Sequence, residues 1–145
     1  MPHRSLLTFT LIGFLILTGS EARGKDWKPY QATKNGDIFY FDPDSLETLP
    51  EGRVKVWVKI EKTEFRGDDL KKHVENVIAG KTDSVTGEII QFLEIDCQGK
   101  KFRIINLAVY DKNRDIKEYY NDPSDWEAIA PQSVTHFLQQ EVCKP

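Results

Sequence analysis

Apolar and polar positions alternate most regularly in residues 53–65 of the chain. From position 54 to position 60 of this segment, every second residue is β-branched, and these residues are Val54, Val56, Val58 and Ile60. Because successive side chains of a β-strand point to opposite faces, the pattern predicts a strand with one buried face and one solvent-facing face. The residues that would share the solvent-facing side are Arg53, Lys55, Trp57 and Lys59.

Turn residues separate this strand from several other apolar runs. Asn35-Gly36 lies between the first two runs and predicts a type I′ hairpin turn, in which both central residues have a positive φ. Gln98-Gly99 separates two longer runs. The predicted strands are residues 27–33, 37–41, 53–65, 88–97, 101–110 and 115–120.

Residues 66–87 break this alternation and show the period of a helix instead. Apolar residues recur at helical spacing, at Leu70, Val74, Val77 and Ile78. Asp68 is the expected N-cap of this helix, and Gly80 is its expected end. We therefore expect a short amphipathic helix inside an insertion of the sheet.

A second helical segment lies near the C-terminus, where Ser133 is the expected N-cap. The apolar residues of one face are Val134, Phe137, Leu138 and Val142. A run of strands followed by such a helix predicts an α+β fold. We expect an antiparallel meander sheet of about six strands with the C-terminal helix packed on one face.

The first residues have the three parts of a secretory signal peptide: a short positive region, an apolar run at residues 6–17 and small residues before the cleavage site. We expect cleavage after Ala22, with cleavage after Ser20 as the alternative. An uncleaved membrane anchor is disfavoured because a spanning helix needs about 20 apolar residues. Residues 1–22 are therefore predicted to be a signal peptide, and residues 23–145 one domain with no membrane span.

The charge balance makes two classes of partner unexpected. The chain has 20 Lys and Arg residues, 23 Asp and Glu residues and a formal net charge of −3 at pH 7. Such a balance creates no strong basic field that would attract nucleic acid or an anionic membrane surface.

Cys97 and Cys143 are the cysteines of the chain. An even number in an exported protein is typical of a disulfide, which would join the end of a strand to the end of the final helix. A reactive thiol or a metal ligand is the alternative. Neither cysteine has a histidine or a second cysteine at metal-site spacing, so we expect the disulfide, with no metal and no cofactor.

Several motifs in a fixed order resemble the surface-adhesin protein E family of small exported bacterial domains. They are Trp27, Asp37-Ile-Phe-Tyr-Phe-Asp-Pro-Asp-Ser45, Val54-Lys-Val-Trp-Val58, Glu94-Ile-Asp-Cys97, Arg103, Trp126-Glu-Ala-Ile-Ala-Pro131, Ser133 and Cys143. The resemblance implies the same fold and disulfide, and a place in the periplasm, at the outer-membrane surface or outside the cell. It also implies contact with another protein, such as a host matrix glycoprotein or an envelope protein.

Motifs for catalysis or ion binding are weak in this sequence. His73 and His136 have no serine or carboxylate beside them at a catalytic spacing, so we expect no enzyme activity. Asp111, Asn113 and Asp115 match the first ligands of a calcium loop. Glycine is missing at the sixth position of that loop, so we expect a solvated hairpin turn instead.

Two sets of residues are candidates for binding. The first is Lys55, Trp57 and Lys59, because an exposed aromatic side chain flanked by basic ones is typical of interfaces. The alternative is that Trp57 packs as core. The second is Arg66-Gly67-Asp68, the integrin-type attachment tripeptide, which otherwise forms a glycine turn followed by a helix cap.

These features together predict an exported, non-catalytic binding module of the adhesin type. The alternatives are an envelope structural module with no dedicated external ligand and, less favoured, a small enzyme. The edge strands of an open sheet can also pair across a homodimer.

Overall fold

The computed structural model describes residues 26–65, 67–81 and 85–144. The strands within these residues are β1 (Lys28–Ala32), β2 (Ile38–Phe41), β3 (Glu47–Leu49), β4 (Arg53–Thr63), β5 (Val85–Asp96), β6 (Lys101–Asp111), β7 (Ile116–Tyr120) and β8 (Glu127–Ala128). The helices are α1 (Leu70–Ile78) and α2 (Val134–Val142), with short 3-10 segments at Pro43–Ser45 and Pro50–Gly52.

These strands form one antiparallel sheet. The order across it is β1-β2-β4-β5-β6-β7, with β3 beside one end of β4 and β8 beside one end of β6. The α+β meander predicted from the sequence is confirmed, including its C-terminal helix. The sheet gains β3 and β8, which the sequence pattern did not predict because each is only two or three residues long.

One face of the sheet, here called the inner face, packs against α2. The β-branched residues of β4 are buried on this face together with Leu93 and Ile95 of β5. From α2, Leu138 and Val142 join the same cluster, and Leu138 is completely enclosed at 0% exposed. The core of the domain therefore lies between the sheet and its C-terminal helix.

A disulfide between Cys97 and Cys143 joins the end of β5 to the end of α2 and confirms the predicted pairing. The two Cα atoms are 5.7 Å apart, an ordinary distance for a disulfide. The bond spans a sequence separation of 46 residues. In the chain-entropy model, a loop of this length contributes about 4 kcal/mol to stability.

The opposite face, here called the outer face, is covered at one end by α1. Val77 of α1 forms a second buried cluster with Ile38 and Tyr40 of β2. Trp27 and Val74 pack at the border of this cluster. The two helices therefore lie on opposite faces of one sheet.

The prediction that Asp68 caps α1 is wrong. Asp69 is the N-cap, and its carboxylate accepts a hydrogen bond from the Lys72 N–H at 3.0 Å. The helix begins at Leu70, so the residue just before it is the one whose side chain reaches the free amides of the first turn. Asp68 is exposed and lies outside the helix.

The hairpin of β1 and β2 is confirmed, but its predicted type I′ turn is wrong. Five residues, 33–37, connect the paired ends of the strands, and Gly36 has the positive φ of this loop (91°). Thr63 Oγ1 donates to the Gly36 carbonyl at 2.7 Å, and a Cβ on Gly36 would lie 2.7 Å from the Phe65 Cβ. Contact with the end of β4 therefore sets this loop.

The predicted signal peptide, residues 1–22, lies outside the described residues, and its cleavage stays a prediction. The predicted domain is described from Asp26 onward. Neither helix in the described part of the chain has the length and hydrophobicity required to cross a bilayer.

Candidate binding surface

Trp57 lies on the outer face, near the middle of β4. Its cross-strand partner is Phe92 of β5, and the two rings are stacked with their centroids 4.7 Å apart. Both residues are partly exposed, and α2 lies on the other face of the sheet. Stacking fixes the indole ring without enclosing it, so the pair forms a rigid aromatic surface that still reaches solvent.

Lys59 lies deeper in the structure than Trp57. Its Nζ is 2.9 Å from Glu61 Oε1, and its side chain is 13% exposed. The same Nζ is 4.3 Å from the centroid of the Tyr40 ring and 5.4 Å from that of Trp27. An ion pair and two cation–π contacts therefore hold this ammonium group at the edge of the α1 cluster.

Tyr40 completes this closed group. Its hydroxyl donates a hydrogen bond to Glu61 Oε2 at 2.8 Å. Burial raises the pKa of Tyr40 well above its usual value, and the hydrogen bond and negative charge of Glu61 raise it further. The phenol is therefore a permanent donor that fixes Glu61 while Glu61 fixes Lys59.

A second closed group lies at the opposite end of the outer face, around Glu94. This carboxylate is 1% exposed and accepts hydrogen bonds from Arg53 Nη1 at 2.7 Å and from Arg103 Nε and Nη2 at 2.8 and 2.7 Å. The Arg103 guanidinium lies 4.8 Å from the Trp126 ring centroid. Two guanidinium groups thus neutralise one buried carboxylate, and an indole covers one of them.

This group brings together three of the family-like motifs, which are far apart in sequence. Glu94 follows the middle of β5, Arg103 is its neighbour on β6, and Trp126 immediately precedes β8. Their contacts hold the N-terminal end of β6 in place. The arrangement fits a structural clamp, since its charged groups are paired with each other.

Lys55 lies between these two groups and directly across from Glu94 in the register of β4 and β5. It is partly exposed, as is Trp57 two positions further along the same face. The structure therefore brings Lys55, Trp57 and Lys59 onto one face, as the alternation predicts, but gives them different surroundings. Lys59 belongs to a closed ion pair, whereas Trp57 belongs to the open aromatic stack.

The attachment tripeptide lies in the connection between β4 and α1. Arg66 is outside the described residues. Gly67 and Asp68 are exposed, and Gly67 has a φ of 141° with open space where a Cβ would stand. The role of this tripeptide stays a prediction.

A third surface, on β7, was not recognised in the sequence. All five residues of this strand are exposed, and the exposed fractions of Ile116, Tyr119 and Tyr120 are 60%, 58% and 58%. A partial signal was present, because the last predicted strand of a meander is expected at the edge of the sheet, and this one carries Ile116, Tyr119 and Tyr120. The exposure itself depends on what packs against the strand, which the pattern does not contain.

Hydrogen bonds hold parts of this strand in place. Asn106 Nδ2 donates to the Tyr119 hydroxyl at 3.1 Å and to Asn121 Oδ1 at 3.2 Å. The Tyr120 hydroxyl lies 3.4 Å from Glu118 Oε2, to which it donates. The two tyrosines point to opposite faces of the sheet, since they are paired with neighbouring residues of β6.

No group of three or more His, Cys, Asp or Glu side chains within the described residues is arranged to hold a metal ion. His73 contacts Thr63 Oγ1 through Nε2 at 3.0 Å, and His136 Nδ1 accepts a hydrogen bond from the Gln132 N–H at 2.8 Å.

Comparisons with known proteins agree with the sequence motifs. The family described as Surface-adhesin protein E matches residues 27–144. No curated protein sequence matches the chain. Among solved structures, the chain is similar to Haemophilus influenzae protein E, with 10% identity, coverage of 80% of this chain and 92% of that chain, and a TM-score of 0.46. It is also similar to protein E from non-typeable Haemophilus influenzae, with 12% identity, coverage of 82% and 78%, and a TM-score of 0.47.

The family match extends from Trp27 to the residue after Cys143, and so includes both closed groups of the outer face and the disulfide. It covers the sheet, α1 and α2 in full. This chain belongs to the surface-adhesin protein E family.

Proposed function

We propose that residues 23–145 are an exported, non-catalytic binding module that contacts another protein at or near the cell surface. The observation that carries this proposal is the family match over residues 27–144. The Cys97–Cys143 disulfide supports a location in an oxidising compartment, such as the periplasm or the cell exterior. A host matrix glycoprotein is the favoured class of partner, and an envelope protein is the alternative.

The proposed contact surface is the outer face around the Trp57–Phe92 stack, with Lys55 at its side. A stacked indole loses little conformational freedom on binding, which makes it a suitable anchor for a protein partner. Lys55 offers a basic group next to the anchor. Lys59 supports this surface indirectly, because its ion pair with Glu61 holds the neighbouring aromatic rings.

The test is binding of the purified mature domain to immobilised matrix glycoproteins and to solubilised envelope proteins. We expect Trp57→Ala to weaken capture by at least about ten-fold, the effect of losing an interfacial aromatic anchor. Trp57→Phe is the matched control, since a phenyl ring can still stack on Phe92, and it should retain most of the binding. Equal capture by wild type and Trp57→Ala would remove this surface from the proposal.

The tripeptide Arg66-Gly67-Asp68 is a second proposed contact, directed at host cells. The observation in its favour is that Asp69 and not Asp68 caps α1, so the helix does not account for Asp68. We expect Asp68→Glu to abolish attachment of host cells to a protein-coated surface, because the longer side chain displaces the carboxylate. Asp69→Glu should perturb the helix cap and leave attachment intact. Unchanged attachment after Asp68→Glu would dismiss the tripeptide.

A further inference from the structure

The contacts around Glu94 satisfy this carboxylate but not the two arginines that bind it. A guanidinium group has five N–H donors. Arg53 donates one hydrogen bond to Glu94 and Arg103 donates two, and within the described residues neither guanidinium donates to any other acceptor. The Arg53 Nε is buried and has no hydrogen-bond partner in this part of the chain. Most N–H groups of the two arginines therefore have no acceptor among the described residues.

Both arginines also reach the surface. The side chains of Arg53 and Arg103 are 33% and 30% exposed, whereas the Glu94 side chain between them is 1% exposed. The carboxylate thus lies beneath two guanidinium groups that still contact solvent. A second anion can approach these groups from the solvent side without displacing Glu94.

Positive charge is in excess at this end of the outer face. Lys55 lies in register with Glu94 and forms no ion pair with a described residue. Asp96 accepts a hydrogen bond from the Gly99 N–H at 2.8 Å and pairs with no described cation. The cations on this part of the face outnumber the carboxylates, with Arg53, Lys55, Lys101 and Arg103 against Glu47, Glu94 and Asp96. A carboxylate of a ligand would therefore be attracted to this end.

The aromatic stack lies directly beside these cations. Trp57 is two positions from Lys55 on β4, and Phe92 is two positions from Glu94 on β5. Residues two positions apart on a strand share a face and are separated by about 7 Å. The next cation along β4, Lys59, is held in its own ion pair and does not extend the basic surface. This part of the face therefore offers one basic site and one aromatic site, and not a continuous basic track.

We propose that the partner presents an acidic peptide segment to this surface. The carboxylate of an aspartate or glutamate binds Arg53, Arg103 and Lys55. An apolar side chain two positions away packs against the Trp57–Phe92 stack, because an extended peptide has the same spacing of about 7 Å. This inference rests on the proposed function, since it names the chemistry of the partner at the same surface.

A sulfated polysaccharide would match this surface less well than an acidic peptide. Its charges repeat along the chain, whereas the aromatic stack follows the basic site on this face. The formal net charge of −3 also disfavours a long polyanion. One charged group beside one apolar group is instead the ordinary composition of a peptide segment.

The first test uses two synthetic peptides that differ in charge alone. One contains glutamate and phenylalanine two positions apart within a glycine–serine chain, and the other has glutamine in place of the glutamate. We expect the purified mature domain to bind the glutamate peptide at least about ten-fold more tightly, because its carboxylate forms charge-assisted hydrogen bonds. Isothermal titration calorimetry or NMR titration measures the two dissociation constants.

Two variants locate the basic site. Lys55→Glu and Arg53→Gln should each reduce the preference for the glutamate peptide to less than about three-fold. Arg53→Gln leaves Glu94 bound to Arg103 by two hydrogen bonds, so the buried charge keeps a partner. Lys71→Gln is the matched control, since it removes a positive charge from an 88% exposed side chain of α1 and should retain the preference. Circular dichroism checks the fold of each variant, and Lys55→Glu alone suffices if Arg53→Gln does not fold.

Equal affinity of the wild type for the two peptides would overturn the inference, as would no binding of either peptide at millimolar concentration. A preference that survives Lys55→Glu would also overturn it. A second measurement uses the immobilised matrix glycoproteins. Chemical amidation of their carboxyl groups should abolish capture, whereas enzymatic removal of their glycans should not, and loss of capture after glycan removal alone would contradict a peptide ligand.

The two proposals can fail separately. Capture that depends on Trp57 but is unchanged by amidation would overturn this inference and leave the proposed function in place. Discrimination between the peptides without capture of any matrix glycoprotein or envelope protein would remove the proposed function and leave the basic site.

Discussion

The two terminal strands of the sheet, β1 and β7, occupy equivalent positions, but their free edges differ in how well they can pair with another strand. β1 contains Pro29, which has no N–H to offer, and its pairing with β2 is irregular at that point. Lys28 forms an ion pair with Glu141 of α2 at 3.5 Å. These are devices by which natural proteins prevent an edge from pairing with another chain.

The side chains of the two strands differ in the same way. Tyr30 of β1 makes edge-to-face contacts with Phe39 and Phe41, with centroid distances of 6.2 and 6.0 Å. Burial raises the pKa of Tyr30 far above its usual value. Tyr119 and Tyr120 of β7 are instead more than half exposed. The difference teaches that α2 packs on the β1 side of the sheet and buries its side chains, whereas the side chains of β7 stay exposed.

The largest expected effect comes from freeing the helix that covers the β1 side. The double variant Cys97→Ser with Cys143→Ser removes the tether of α2 to β5, and we expect it to lower the free energy of unfolding by about 4 kcal/mol. Denaturant unfolding monitored by circular dichroism measures this. A change within about 0.5 kcal/mol, the ordinary range of a surface substitution, would contradict the tethering role.

An intermediate effect is expected from a cavity under the same helix. Leu138→Ala empties a fully enclosed site, and we expect it to cost about 3 kcal/mol. Tyr120→Ala on β7 is the matched substitution at an exposed site, and its effect should stay within about 0.5 kcal/mol. Both are measured by denaturant unfolding under the same conditions. If both variants lowered the free energy of unfolding by similar amounts, the β1 side and the β7 side of the sheet would not differ in packing.

The smallest effect concerns pH at the turn that leads into β7. Asp111 accepts a hydrogen bond from the Asp115 N–H at 3.0 Å, which is the largest cause that lowers its pKa below 3.8. Desolvation is the second-largest effect and opposes this shift, while hydrogen bonds from Lys117 and the Asn113 N–H lower the pKa of Asp111 further. Folding therefore favours the ionised carboxyl group. Its contribution is fully present above pH 3.8 and is lost as the pH falls through the lowered pKa.

Hydrogen exchange tests this turn. The protection factors of the β7 amides should fall as the pH drops below about 4, and Asp111→Ala should remove that pH dependence. Amides of β2, which lies at the far side of the sheet, serve as the internal control. The measurements at each pH use the same temperature and salt concentration. If the protection factors of the β7 amides do not change between pH 5 and pH 2, the turn does not depend on this carboxylate.

The sequence predicted those strands and helices in which apolar residues recur at a regular spacing. The alternation at Val54–Ile60 identified β4 and its buried face, and the helical spacing of Leu138 and Val142 identified the side of α2 that packs. Features that depend on contact with distant residues were missed or mispredicted. The turn at Gly36 follows its contact with β4, and β8 exists only because it pairs with the first residues of β6.

The candidate surface was predictable to the same extent. The alternation placed Trp57 on the outer face correctly, but its stacking on Phe92 depends on the register between β4 and β5. The enclosure of Lys59 depends on Trp27 and Tyr40, which come from other parts of the chain. The open edge at β7 depends on strand order, and strand order follows from the whole fold.

Pro29 and the irregular pairing beside it also bear on the aggregation of the protein. A sheet with two open edges can add copies at both ends and grow into a fibre. A strand that lacks one N–H and is irregular beside it offers an incomplete row of donors to another chain, so β1 is a poor template for such growth. A single residue without an N–H thereby protects one side of the sheet from fibre formation.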